Sequence, residues 1–206
     1  SRIPVVKHDK GLCSVYVHEA ADLEMAKSIA YNAKVQRPTT CNAMDSLLVH
    51  RGVAERALPV IAREWARAGV EMRCDPLALE ILRKARIGKV VAAAEEDWET
   101  EFLSLVAAVK VVDNLDSALW HIERYGSGHS EAIVTEDRSA ADNFVDEVDA
   151  AAVFVNASTR FNDGGQLGLG AEVGISTQKM HARGPLGLRE MTSYKWTIQG
   201  TGQIRP

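Results

Sequence analysis

"LSLVAAVKVVDNLDSALWHIERYGSGHSEAIVTEDRSAADNFVDEVDAAAVFVN", residues 103–156, decides the fold. Its first ten residues are apolar apart from Ser104 and Lys110, and read as a strand buried on both faces. Residues 115–126 then follow a helical spacing that stops at Gly126. "EAIVT", "DRSAADNFVDEVD" and "AAVFVN" give strand, helix and strand again. Strands alternating with helices of about ten residues predict an α/β fold, a mostly parallel sheet flanked by helices.

The same rhythm extends toward the N-terminus. "LCSVYVH" (12–18) alternates like a strand. "ADLEMAKSIAYNAK" (21–34) follows, with Leu23, Ala26, Ile29 and Ala30 on one helical face. "SLLVH" (46–50) and "VEMRC" (70–74) read as short strands. "ALPVIAREWARAG" (57–69) and "LALEILRKA" (77–85) read as helices, the first ended by Gly69. The acidic run Glu95-Glu96-Asp97 reads as a solvated loop, with a turn at Asp97-Trp98.

Beyond Asn156 the pattern breaks. Residues 157–188 form a long glycine-rich loop, which in a compact domain is usually functional or mobile. "GGQLGLG" (164–170) lacks the spacing of a dinucleotide fingerprint and does not lead from a strand into a helix. "TSYKWTIQG" (192–200) alternates like a C-terminal edge strand.

At 206 residues, with 46% hydrophobic residues and a net charge of −4, the composition is that of an ordinary globular chain. That charge gives no reason to expect nucleic acid or an anionic membrane as a partner, and no apolar run approaches a membrane span. Three cysteines without a CxxC disfavour a disulfide framework and a zinc site, and fit a reducing, cytoplasmic setting. The histidines make no HxxxH or HExxH spacing, so no metal is expected. No GxSxG elbow is present. The chain opens on Ser-Arg-Ile-Pro without an initiator Met, which suggests a piece of a longer protein.

One residue stands out chemically. A lone cysteine is usually a small buried apolar residue, and Cys13 and Cys74, at apolar strand positions, read that way. Cys41 has Thr39, Thr40, Asn42 and Asp45 as neighbours, with Lys34 and Arg37 just upstream. A thiol opening a helical turn near cations is expected to have a lowered pKa and a populated thiolate.

Five blocks then carry a resemblance: "NAKVQRPTTCNAMDSLLVH", "DWETEFLSLVAAVKVVD", "HIERYGSGHSEAIVT", "STRFNDGGQLGLGAEVGIST" and "HARGPLGLREMTSYKW". In this order they resemble the gamma-glutamyl phosphate reductase (glutamate-5-semialdehyde dehydrogenase) family of the aldehyde dehydrogenase superfamily. The resemblance runs from about Ile3 to Arg205 and implies the C-terminal catalytic half, residues 1–188. Residues 189–206 would form a strand or arm for oligomer contacts, and the nucleotide-binding domain would be absent.

The resemblance also assigns roles. Cys41 is the implied nucleophile, forming a thioester from gamma-glutamyl phosphate, with backbone N–H groups of Cys41 and Asn42 facing the oxyanion. Glu101, with Phe102 beside it, is the implied contact to the ribose of NADPH. His8 stands where other aldehyde dehydrogenases carry a water-activating glutamate. Ser158, Thr159 and Arg160, then Arg37 and Arg183, are candidates for the substrate carboxylate and phosphate.

The implied role is the NADPH-dependent step to glutamate 5-semialdehyde in proline biosynthesis, by a cytoplasmic homo-oligomer that could associate with glutamate 5-kinase. This half alone is expected to be inactive. Two alternatives remain open: the reductase portion of a bifunctional pyrroline-5-carboxylate synthase, and an inactive assembly module.

Overall fold

The computed structural model describes residues 2–3, 5–7 and 9–206. Seven strands form one sheet: β1 (Cys13–Val17), β2 (Met44–His50), β3 (Glu71–Cys74), β4 (Val90–Ala92), β5 (Val106–Val112), β6 (Ser130–Val134) and β7 (Ala152–Val155). Their spatial order is β4-β3-β5-β2-β1-β6-β7, and every neighbouring pair is parallel. Helices α1 (Leu23–Val35), α2 (Arg51–Ala68), α3 (Pro76–Lys84), α4 (Leu115–Tyr125) and α5 (Arg138–Glu147) make the crossovers. A parallel sheet needs cover on both faces. Helices α1, α2 and α3 pack on one face with Val15, Leu47 and Val109, while α4 and α5 pack on the other with Tyr16, Leu48 and Ile133.

Helix ends follow local chemistry. Asp22, Asp75, Asn114 and Asp137 each accept a hydrogen bond from a first-turn N–H of the helix they cap. Gly69 closes α2 in the left-handed conformation, φ +87°. Helix α2 begins six residues before the expected Ala57, because His50 caps Gly52 N and Val53 and Ala54 extend the buried face.

Three expectations need correction. Strand β4 was not anticipated; it is a three-residue edge strand with no fully buried side chain to mark it. Glu95–Glu99 form a 3-10 turn in which Glu95 and Glu96 are exposed but Asp97 is buried. Asp97 accepts from Ala94 N at 2.8 Å and from Arg73 at 2.5 Å, so it is a structural carboxylate rather than a solvated one. Residues 192–200 form no strand. Tyr194, Trp196 and Ile198 are 86%, 83% and 89% exposed, and an alternating segment without a partner strand has no ladder to join.

Residues 157–191 hold a 3-10 turn at Thr159–Phe161 and one short antiparallel pair, β8 (Ile175–Ser176) with β9 (Gly184–Pro185). No helix among the described residues is long and apolar enough to cross a membrane.

Candidate active site around Cys41

Cys41 lies in a turn between α1 and β2, at the amino end of the sheet. Ala43 N donates to Thr40 O at 2.9 Å, and the Thr40 hydroxyl donates to Arg37 O at 2.9 Å. The turn runs directly into β2, not into a helix.

The segment before β1 crosses just beneath this turn. A Cβ on Gly11 would lie 2.1 Å from the Cys41 carbonyl oxygen, so only glycine allows the approach. The Cys13 thiol donates to that same carbonyl at 3.2 Å. Gly11 N donates to Glu101 Oε1 at 3.1 Å, which brings the expected cofactor residue beside the thiol turn. Phe102 follows, with its ring centroid 5.8 Å from Lys34 Nζ and 5.3 Å from the Arg73 guanidinium.

Asn42 is buried and acts as a strut. Its amide donates to Asn162 O at 3.0 Å, and its side-chain oxygen accepts from Thr40 and from the Arg160 guanidinium. The Thr159 hydroxyl donates to Asn42 O at 2.8 Å. Ser158 and Thr159 are both buried, with Ser158 accepting Arg160 N, so these two hydroxyls brace the loop. Arg160 alone of the three is half-buried at a cleft of about 240 Å³, lined also by Asn32, Gln36, Phe161, Asp163 and Gln166. Its partners there are neutral amides: Nε donates to Gln36 at 2.8 Å.

The other arginine candidates separate. Arg37 is exposed, on the α1 side of the thiol turn. Arg183 is bound to Asp149, 2.5 Å away, which also pairs with Lys179, and it is not brought to the Cys41 cluster. His8 lies outside the described residues.

The electrostatics overturn one expectation. Burial raises the Cys41 pKa, the Glu172 and Glu101 carboxylates raise it further, and the local backbone N–H and Arg160 oppose them. Lys34 is buried against Asp45, and the causes acting on the thiol are the carboxylates and Arg160. Arg160, distant in sequence, is the cation that acts. Burial pushes Cys74 up to about 12, and burial with Glu131 nearby lifts Cys13 well above the ordinary thiol range. Cys41 is half-buried, whereas the other two are buried.

Sequence reasoning passed over Gly11, Gln36, Asn162 and Glu172. Gly11 stands directly before an apolar strand, a signal that could have been used; the loop residues carry none. Among the described residues no group of three His, Cys, Asp or Glu could hold a metal. A cleft of about 750 Å³ between α4 and α5 includes none of Cys41, Asn42, Glu101 or Arg160.

No family model matches the chain. It is 62% identical over 205 residues to a gamma-glutamyl phosphate reductase of Dehalococcoides mccartyi, covering all of this chain and 48% of that protein. The same-named protein of Persephonella marina is 56% identical over 206 residues, covering 98% of this chain and 46% of its own. The chain thus spans about half the length of the curated relatives it matches. Among solved structures, gamma-glutamyl phosphate reductase from Thermotoga maritima superposes with a TM-score of 0.91 at 52% identity, over all of this chain and 49% of that one. An acetylating aldehyde dehydrogenase from Geobacillus thermoglucosidasius shares the fold, with a TM-score of 0.69 at 16% identity over 95% of this chain and 52% of that one.

Proposed function

The chain belongs to the gamma-glutamyl phosphate reductase family, and from that premise we propose that it is the thiol-bearing half of an enzyme reducing gamma-glutamyl phosphate to glutamate 5-semialdehyde in proline biosynthesis. The observation that carries this reading is the Cys41 turn. It holds the half-buried thiol of the chain and is joined through Gly11 to Glu101.

In this reading the Cys41 thiolate attacks the acyl carbon, the bond to the phosphate oxygen breaks, and phosphate leaves with that electron pair. The acyl group remains on sulfur as a thioester. Arg160, whose guanidinium donates to the amides of Gln36 and Asn42 with the Asp163 carboxylate nearby, is the proposed contact for an anionic group of the substrate. A nicotinamide cofactor, NADPH in this reading, would supply the hydride; with its addition at the acyl carbon the C–S bond breaks, and the aldehyde leaves as the Cys41 thiolate is regenerated. Glu101 fits such a cofactor chemically: it is a half-buried carboxylate beside the thiol turn, and a carboxylate accepts from the hydroxyls of a ribose diol. Residues 189–206, with Tyr194, Trp196 and Ile198 exposed, are proposed as an arm that packs on another copy of the chain.

Iodoacetamide with peptide mapping tests the thiol assignment. Cys41 should be alkylated well before Cys13 and Cys74, since access and thiolate fraction set the rate. In the full-length protein, Cys41→Ala should abolish semialdehyde formation. Retained turnover in that variant would sink the thioester route.

A further inference from the structure

The register of β1 against β2 slips once: Cys13 pairs with Met44, but Ser14 pairs with Ser46. Asp45 is the extra residue of this bulge, a device that re-aims a side chain. Its carboxylate meets Lys34 of α1, Nζ to Oδ1 3.5 Å, and the two side chains are 3% and 0% exposed. The same Oδ1 accepts the Phe102 N–H at 3.2 Å. Lys34 also stands by the Phe102 ring, and Glu101 is tied through Gly11 to the Cys41 carbonyl. The contacts therefore close a ring that runs from the thiol turn through Gly11, Glu101, Phe102 and Asp45 back to β2.

A buried ion pair is a weak source of stability, since apolar side chains of similar volume often do as well. Its placement here calls for another role. We propose that Asp45, paired with Lys34, is a positioning residue that holds the Glu101–Phe102 segment at a set distance from the Cys41 thiol. The functional part rests on the reading of Glu101 as a cofactor contact; the positioning itself does not.

Two double variants of the full-length protein separate position from fold. Lys34→Met with Asp45→Leu removes both charges, leaving neither unpaired, but takes away the acceptor for Phe102 N–H. Lys34→Met with Asp45→Asn also removes both charges and keeps an oxygen there. The leucine double should raise KM for the nicotinamide cofactor about tenfold, the loss of one hydrogen bond. Its Phe102 amide should exchange rapidly with deuterium, while alkylation of Cys41 stays within about twofold of the parent. The asparagine double should recover most of the cofactor KM and the amide protection. Equal Phe102 exchange in the two doubles would overturn the proposal. Different exchange with equal cofactor KM would uphold the positioning and remove Glu101 from the cofactor site.

Discussion

The two faces of the sheet are built differently. Under α1, α2 and α3 lies a continuous apolar layer that includes Val15, Leu47, Leu58, Ile61, Trp65 and Val109, all essentially inaccessible. Its buried charges, Lys34 and Asp45, sit at the amino edge, where the thiol turn begins. The face under α4 and α5 is smaller and mixed. There the Tyr16 hydroxyl, the Ser46 hydroxyl, both His121 ring nitrogens and Glu131 Oε1 are buried without a hydrogen-bond partner among the described residues. Unsatisfied buried polar atoms cost free energy, so the first face should carry more of the stability. The lesson is that the burial seen on both faces does not measure their worth equally.

The largest expected effects test that ranking directly. Trp65 on the first face and Phe144 on the second are both fully buried. Truncating either to alanine should cost about 3–5 kcal/mol in urea unfolding. Trp65→Ala should be the worse, because it also leaves Ala30 O without the indole N–H that now donates to it at 3.3 Å. A larger loss for Phe144→Ala would reverse the comparison.

An intermediate effect is expected from acid. Burial, reinforced by Lys110, holds the His121 pKa down at about 3, against an ordinary 6.5. Between those values the unfolded chain binds the extra proton, so stability should fall as pH falls from about 6.5 toward 3. Asp45 acts in the opposite sense. Burial lifts it to about 6 from an ordinary 3.8, with Lys34 opposing, so the native state binds the proton first and stability falls as pH rises through that window. His121→Leu should flatten the acid loss seen in urea midpoints measured across pH. An unchanged slope would mean that the second face accommodates a charged imidazole.

The smallest effect should come from Glu131. Burial holds this carboxyl toward its neutral form while Oε2 accepts from Ser14 N at 2.9 Å. Glu131→Gln keeps the acceptor and the volume, so the change at neutral pH should stay below about 1 kcal/mol. A loss of several times that would show that the charged carboxylate is needed, and with it a partner on this face.

Much of the scaffold follows from local pattern alone. Apart from β4, the alternation of strand and helix from Cys13 to Val155 and the stop at Gly69 are decided by neighbours in sequence, which is why they are legible there. The polar surroundings of Cys41 likewise distinguish it from Cys13 and Cys74 before any folding is considered. Strand order is another matter. That β1 sits in the interior, between β2 and β6, depends on which crossovers return to which edge, and periodicity is silent on that. The β1–β2 bulge, the burial of Lys34 and the approach of Gly11 to Cys41 were invisible for the same reason. The sense of the thiol's pKa was decided last of all. Lys34 and Arg37 are its neighbours in the chain, yet burial and the distant Glu172, Glu101 and Arg160 govern it, because electrostatic interactions act through space and dielectric, not along the sequence.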